Sequence, residues 1–340
     1  MDSDNSKIPS STTATVRLIY YYHISIMRLL FFCLMLVPTS LVMSQGCSDA
    51  GFCTMGAMKP DQTYSKKIDF KLRSFELNYY HGKTKLTPVI TMYNAELNFG
   101  INEKYSFQFK VPYQTVSGKL GDTQGVGDLS FSFSRGIVLE NGFNLGLTLG
   151  GKIATGRSDI EANNSPFGSG DLPMYYQISL GTHDLVAGAS IINDNWLFAT
   201  GIQIPVIHQN ENDFRWGKWP DYPSPKYIKK YDLANDLKRG TDVMLRAERN
   251  FRFINFNYGL GLLAIYRITR DERLDFNTDK RIKPEETTGL VLNLLANFGY
   301  NFNINHSVKL IGGLKLMDRD LNPDGLTRKH VISTSYVYRF

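Results

Sequence analysis

Apolar and polar residues alternate along most of the chain from about residue 64 onward. Over residues 105–113, Phe107, Phe109 and Val111 fall on one side of an extended chain. Gln108 and Lys110 fall on the other side. The same period of two recurs at 128–134 and 143–150, and it predicts β-strands with one apolar and one polar face.

The length of these alternating segments separates two kinds of all-β protein. Strands of soluble sheets usually run for about five or six residues, whereas segments of 11 to 17 residues recur in this chain. Such segments are long enough to cross a bilayer at a tilt. The predicted strands are 64–80, 86–99, 104–116, 126–139, 143–155, 183–193, 195–207, 239–252, 255–269, 285–301, 306–318 and 327–340.

The connections between these strands alternate between short and long. Three-residue turns are predicted near 101–103, 140–142, 193–195, 252–254 and 303–305. Longer loops are predicted around 117–125, 156–182, 208–238, 270–284 and 319–326. Short turns on one side and long loops on the other are typical of outer-membrane barrels. The predicted fold class is therefore all-β, a transmembrane antiparallel up-and-down β-barrel of about twelve strands.

The end of the chain agrees with this prediction. Tyr336, Tyr338 and Phe340 share one face of the last segment. They resemble the C-terminal signature that the barrel-assembly machinery of Gram-negative bacteria recognises. We therefore expect this machinery and outer-membrane lipid as partners, and the bacterial outer membrane as the location.

The first sixty residues predict export. Met27 and Arg28 precede an apolar run at 29–37, and small residues follow up to Ser44. This order is typical of a secretory signal peptide, so residues 1–44 are interpreted as a signal region in which 1–26 precede the true start at Met27. A single membrane anchor is the alternative, but Arg28 would lie near its middle, which is costly. The expected domains are a short periplasmic segment at 45–63 and a barrel at 64–340.

Two cysteines remain in the mature segment. Cys47 and Cys53 lie close in sequence in a chain predicted to be exported, so a local disulfide is one expectation. Lipidation of Cys47 is the alternative, because the preceding residues resemble a loose lipoprotein box. The spacing fits neither a thioredoxin-type pair nor a zinc site.

Charge and composition narrow the partners. The formal net charge is +6 from 38 Lys and Arg against 32 Asp and Glu, but the basic residues are scattered, and nucleic acid is not expected because it needs clustered positive charge. Several charged residues instead fall on predicted lumenal positions. They are expected either to fill the lumen with salt bridges or to line a narrow pathway. The candidates are Asp69, Lys71, Arg73, Glu96, Lys110, Arg246 and Glu248.

The loop at 208–238 is rich in aromatic residues. An aromatic mouth suits the capture of an apolar or aromatic solute, and a folded cap that packs on itself is the alternative that the pattern favours. The candidates are Trp216, Trp219, Tyr222 and Tyr227, followed by Tyr231.

No motif in the chain predicts catalysis, a metal or a cofactor. The histidines at 81, 183, 208, 306 and 330 lie near predicted turns or strand ends, outside any recognisable motif. The Gly-rich stretch 118–127 lacks the Lys-Ser or Lys-Thr and the helix of a phosphate-binding loop. The chain is therefore interpreted as a non-enzyme.

Three short motifs carry a resemblance to a known family. They are Gly125-Val126-Gly127-Asp128, Ala154-Thr155-Gly156 and Gly168-Ser169-Gly170-Asp171. Over about residues 120–210 the chain resembles the outer-membrane family associated with the meta-pathway of phenol degradation. A proline commonly precedes the Thr-Gly in that family, and Ala154 stands there in this chain. The resemblance implies transport of aromatic or other hydrophobic compounds.

The functional expectation combines the barrel with this resemblance. We predict a passive transporter or channel for a small solute, with hydrophobic or aromatic compounds as one class. A structural or adhesion barrel with a plugged lumen is the first alternative, and a barrel hydrolase is the second.

Overall fold

The alternation of apolar and polar residues folds into one continuous antiparallel sheet that closes on itself. The structure, a computed structural model, describes Met55, Met58, Lys59 and residues 71–84, 88–162, 165–325 and 328–340. Each strand pairs with the next strand of the wall, and the last strand pairs with the first. The wall therefore closes on itself, as a membrane-spanning sheet requires.

The strands are β1 (Lys71–Thr84), β2 (Val89–Gly100), β3 (Tyr105–Gly118), β4 (Gly121–Val126), β5 (Leu129–Val138), β6 (Asn144–Ile153), β7 (Thr182–Ile192), β8 (Trp196–His208), β9 (Asp242–Arg252), β10 (Phe256–Arg267), β11 (Arg273–Asp275), β12 (Lys280–Ile282), β13 (Gly289–Asn301), β14 (His306–Met317) and β15 (Arg328–Arg339). Short helices lie between them. They are Glu140–Gly142, Met174–Tyr176, Trp216–Lys218, Pro225–Ile228, Lys229–Ala234 and Glu285–Thr287.

The wall of the barrel has twelve positions, which confirms the predicted fold class. β4 and β5 share one position, because β3 pairs with β4 along one half of its length and with β5 along the other. β11 and β12 form a separate hairpin outside the wall. The predicted strands coincide with the observed ones to within a few residues over the described part of the chain. The short β4 segment and the outer hairpin were not predicted.

The two ends of the barrel differ. The short connections β2–β3, β5–β6, β7–β8, β9–β10 and β13–β14 all lie at one end, here called the short-turn end. The other end, here called the long-loop end, carries the connections at 154–181, 209–241, 268–288 and 318–327. The predicted alternation is confirmed for these four long connections, whereas the predicted loop at 117–125 is wrong, because β3 and β4 pair there and leave only a tight turn at 119–120.

Large apolar side chains form the outer surface of the wall. Leu149, Leu245 and Leu260 each leave more than half of their surface exposed, as expected for side chains that face lipid tails. Aromatic rings gather toward the short-turn end, where Phe253 stacks on Phe256 with ring centroids 4.5 Å apart. Aromatic girdles of this kind mark the bilayer interface in membrane barrels.

The C-terminal strand completes the wall. Tyr338 of β15 is paired with Phe75 of β1, and the Phe340 amide donates to the Arg73 carbonyl at 3.0 Å. Tyr336 and Phe340 remain exposed on the outer face. The three predicted signature residues thus occupy the seam between the first and last strands, whereas their recognition by assembly machinery stays a prediction.

Candidate functional site

The inner face of the wall is largely polar. Small and amide side chains follow one another at inward positions, and they are buried. Ser132 donates to the Gln108 side chain at 3.0 Å, and Asn94 donates to the Asn78 side chain at 2.9 Å. Such cross-strand bonds satisfy polar groups that face one another inside a barrel of modest width.

A short segment that precedes β1 lies inside this lumen. Met55, Met58 and Lys59, here called the lumenal segment, are the described residues before the first strand. Both methionines are buried, Met58 completely. The sequence had predicted 45–63 as a periplasmic segment, whereas these three residues contact the inner wall.

Lys59 is held between two carboxylates of neighbouring strands. Its ammonium donates to Glu76 Oε2 at 2.7 Å and to Glu96 Oε1 at 2.6 Å. Glu76 and Glu96 are directly opposite one another in the β1–β2 pairing. Burial lowers the pKa of Lys59, but the attraction of the two carboxylates outweighs it and raises the pKa above its ordinary value. Lys59 is therefore a firmly charged anchor.

The two methionines pack on an apolar patch across the lumen. The patch, here called the apolar belt, runs over five neighbouring strands from β7 to β13. Its members are Val186, Ala199, Met244, Leu263 and Leu295, with Ile265 packed beside them. The lack of a side chain at Gly188 makes room for Met58, because a Cβ there would lie 2.2 Å from the Met58 sulfur.

The strand order puts the apolar belt opposite the anchor of Lys59. Around the twelve wall positions, β8 and β9 lie six positions away from β1 and β2. Met58 therefore contacts one wall while its sequence neighbour Lys59 contacts the facing wall. The lumenal segment thus crosses the lumen.

The predicted lumenal charges fall into two groups. The first group points inward and consists of Glu96, Lys110, Arg246 and Glu248. Glu96 lies directly opposite Lys110 in the β2–β3 register. Arg246 donates to Glu248 at 2.6 Å, and Glu248 also accepts from Asn297 at 3.2 Å.

Lys71 and Arg73 lie elsewhere than predicted. A bulge between Leu72 and Ser74 shifts the alternation in β1. Lys71 is exposed at the strand end, and Arg73 donates to the Asn102 carbonyl in the first short turn at 2.8 Å. Glu76, which the sequence analysis missed, takes the inward position instead. Asp69 lies outside the described residues.

A second set of buried charges lies toward the long-loop end. Arg267 donates to Asp242 at 2.6 and 3.0 Å, to Asp324 at 2.8 Å, and also to Asp271. Arg239 donates to Asp324 at 3.2 Å. All five side chains are almost completely buried. Because Asp324 belongs to the β14–β15 loop, this network holds that loop down to the wall.

The same end carries a smaller buried cluster. Lys152 donates to Asp128 at 2.9 Å and to Thr182 at 3.2 Å, and its ammonium lies 3.4 Å from Asp184. Asp184 in turn accepts a bond from Gln203. Buried charges inside the lumen are thus paired on three sides of the barrel.

The aromatic loop residues form a folded cap. Trp219, Tyr222, Phe214 and Tyr231 are buried in one cluster with residues of the 154–181 loop. Tyr231 donates to the Tyr227 hydroxyl at 2.6 Å, and Tyr227 is partly buried beside them. The cluster continues onto Ile90, Met92 and Val116 of the inner wall.

Trp216 is the exception among the predicted loop aromatics. It is 41% exposed, with the Lys229 ammonium 4.3 Å from its ring centroid. It offers an aromatic surface outside the cap, whereas the other three candidates are used for packing.

The cysteines and histidines are the remaining candidate residues. Cys47 and Cys53 lie outside the described residues. His306 hydrogen-bonds to the Tyr336 hydroxyl at 2.5 Å, and His81 to Thr91 at 3.3 Å. Over the described ranges, His, Cys, Asp and Glu side chains form no group of three suited to a metal ion. In the same ranges no helix combines the length and apolarity needed to span a bilayer.

Comparisons with known proteins give only remote likenesses. No family model and no curated protein matches the chain. The chain is similar to the NanC porin, with 8% identity and a TM-score of 0.42 over 79% of this chain and 100% of that chain. It is similar to the CymD monoaromatic hydrocarbon channel, with 12% identity and a TM-score of 0.39 over 87% and 94%. The outer membrane phospholipase A from Escherichia coli gives 8% identity and a TM-score of 0.35 over 80% and 93%. The assignment of the barrel therefore rests on its own strand pairing.

Proposed function

We propose that this protein is a bacterial outer-membrane channel that lets a small apolar solute pass passively through its lumen. The long-loop end would face the outside of the cell and the short-turn end the periplasm. The observation that carries the proposal is the apolar belt, five apolar side chains on adjacent strands of an inner wall that is largely polar.

The apolar belt is unusual for a water-filled pore. An inner wall that serves only ions and sugars gains nothing from burying five aliphatic side chains on adjacent strands. Aliphatic surface is instead the lining that binds apolar ligands, with few polar groups around it. The lumenal methionines cover this surface at present, and removing them would expose it to a solute.

Two closures must open for passage. The lumenal segment crosses the barrel at the level of Lys59, and the Arg267 network holds the β14–β15 loop at the long-loop end. A solute that competes with Met55 and Met58 for the apolar belt would favour displacement of the segment. This route needs no energy source, because the contacts that the solute gains on the apolar belt replace those that the methionines lose.

The same closures favour a second candidate function, a structural or adhesion barrel. The buried ion pairs and the packed cap would give a rigid plug and an ordered outer surface. The two functions differ in one consequence, because only the channel passes a solute.

Passage is tested in cells whose lipopolysaccharide layer blocks apolar probes. Gram-negative cells that make the full chain are compared with cells that do not, by the rate at which N-phenylnaphthylamine fluorescence rises. Hydrolysis of nitrocefin by a periplasmic β-lactamase reports passage of a polar solute. We expect faster entry of the apolar probe and an unchanged rate of nitrocefin hydrolysis.

A variant of the apolar belt controls for membrane damage. Leu263→Asn places an amide among the apolar side chains of the belt, and Ile304→Asn, at an 88% exposed position in a short turn, is the matched control. Leu263→Asn is expected to slow apolar entry, whereas Ile304→Asn is not. Unchanged entry of both probes on expression would support the structural barrel, and faster nitrocefin hydrolysis alone would support a polar pore.

A further inference from the structure

The anchor of Lys59 has the form of a binding site that its own chain already occupies. Two carboxylates on adjacent strands hold one ammonium at 2.7 and 2.6 Å, and both are about 95% buried. A primary ammonium has three donors on a compact charge. Glu76 and Glu96 each accept one of these bonds.

Two further lysines lie near the two carboxylates that hold the Lys59 ammonium. Lys110 lies directly opposite Glu96 in the β2–β3 register, and the positive charge of Lys309 acts on Glu76. These lysines bring positive charge near the two carboxylates and so reduce the repulsion between them. Among the described residues, Lys59 is the one whose ammonium lies within ion-pair distance of both Glu76 and Glu96.

The facing wall supplies an apolar partner for the same occupant. Met58 precedes Lys59 in the chain and packs on the apolar belt opposite the carboxylates. The lumenal segment therefore presents an ammonium to one wall and flexible apolar side chains to the other. A ligand that replaced it would need the same two parts to satisfy both walls.

From this geometry we infer that the lumen binds amphiphiles with a primary ammonium head and an aliphatic tail, with the head between Glu76 and Glu96 and the tail on the apolar belt. This inference rests on the proposed function, because it narrows the passing solute to one that carries an ammonium head on its apolar part. Lys59 and the methionines act as an internal ligand that such an amine displaces.

Binding of three octyl compounds to the full chain tests the inference. Octylamine, octanol and octanoate share a tail and differ in the head, and each is titrated by calorimetry into the protein in the same non-ionic detergent. A charge-assisted hydrogen bond contributes about 1.5–3 kcal/mol, so octylamine should bind at least about tenfold more tightly than octanol. Octanoate should bind most weakly, because its head repeats the charge of the site.

Variants of the anchor separate the head site from the tail site. Glu96→Gln should lower octylamine affinity about tenfold or more and leave octanol affinity unchanged. Lys59→Met should raise octylamine affinity, because the internal ligand loses its charge. Glu103→Gln and Lys104→Met, in the exposed turn after β2, are the matched controls and should change neither.

Three outcomes would overturn the inference. One is equal affinity for octylamine and octanol, which would leave an apolar solute of another class and spare the proposed channel. Another is a preference for octylamine over octanol that is unchanged in Glu96→Gln and in the double variant Lys59→Met with Glu76→Gln. The ammonium head would then bind at another place. A third is failure of all three compounds to bind to protein whose heat-modifiable gel mobility shows that it is folded. Failure of apolar entry in cells with intact octylamine binding would count against the channel alone.

Discussion

The buried charge network at the long-loop end makes a quantitative prediction about stability. Arg267, the last residue of β10, bonds to three carboxylates, those of Asp242, Asp271 and Asp324. Arg267→Met keeps the length of the side chain and removes the charge. Breaking a buried pair from one side costs about 3–5 kcal/mol, because the remaining charge is buried without a partner.

The structure indicates where in this range the loss should fall. Asp242 and Asp324 retain Arg239 as a partner, with its Nε 3.2 Å from Asp324. Over the described ranges, the Asp271 carboxylate then keeps one hydrogen bond, which it accepts from the Gly240 amide at 2.7 Å. We therefore expect Arg267→Met to lower the free energy of unfolding by about 4 kcal/mol.

A neighbouring arginine is the matched control. Arg270 donates to Glu285 at 2.6 Å, but the two side chains are 46% and 79% exposed. Exposed pairs contribute about 0–1 kcal/mol, so Arg270→Met should change stability by no more than this. Both variants remove one positive charge from the same end of the barrel.

The assay is urea unfolding of the refolded protein in lipid vesicles, followed by tryptophan emission. A loss below about 1 kcal/mol for Arg267→Met, or equal losses for the two variants, would refute the reasoning that the network is desolvated. Adding Asp271→Asn to Arg267→Met should recover part of the loss, because it removes the carboxylate left with fewest partners.

Three further predictions concern the cap and the outer face. Trp219→Ala should destabilise the cap by about 3–5 kcal/mol, whereas Trp216→Ala should not, since Trp216 is exposed; protease cleavage within 209–241 measures the difference. Burial raises the pKa of Tyr231 above its usual 10.0, so its stabilisation is complete below about pH 10 and is lost as the pH rises through the higher folded value. Tyrosinate absorbance and near-UV circular dichroism should change together, and ionisation of all tyrosines near pH 10 would contradict this. Leu149→Arg on the lipid face should cost about 2–4 kcal/mol near the bilayer midplane, and Leu149→Ile much less, by the same urea assay.

The wall of the barrel could be predicted from the sequence because its physics is local and periodic. Alternation in β3, as at Phe107 and Gln108, fixes which side chains face lipid without knowledge of the neighbouring strand. Turn and loop lengths then fix the two ends. The predicted faces were wrong near Arg73, because a bulge there adds one residue and reverses which side chains face inward. A bulge leaves no periodic signal in the sequence.

The candidate site depended on contacts that the sequence does not display. Lys59 lies before the first strand, and nothing in its neighbours indicates that it reaches Glu76 and Glu96 inside the lumen. Arg267 and Asp324 are 57 residues apart and meet only because β10 and the β14–β15 loop converge at one end. The buried cap was anticipated from the aromatic loop, but the exposure of Trp216 was not.

Single-channel conductance of the full chain in a planar bilayer tests the central claim most directly. We propose that Lys59, fixed between Glu76 and Glu96, keeps the lumenal segment across the lumen. Wild-type protein should be closed apart from brief openings, Lys59→Met should stay open for longer, and Lys104→Met should behave as the wild type does. Steady conductance of the wild type, or identical traces from Lys59→Met and the wild type in folded protein, would contradict the account.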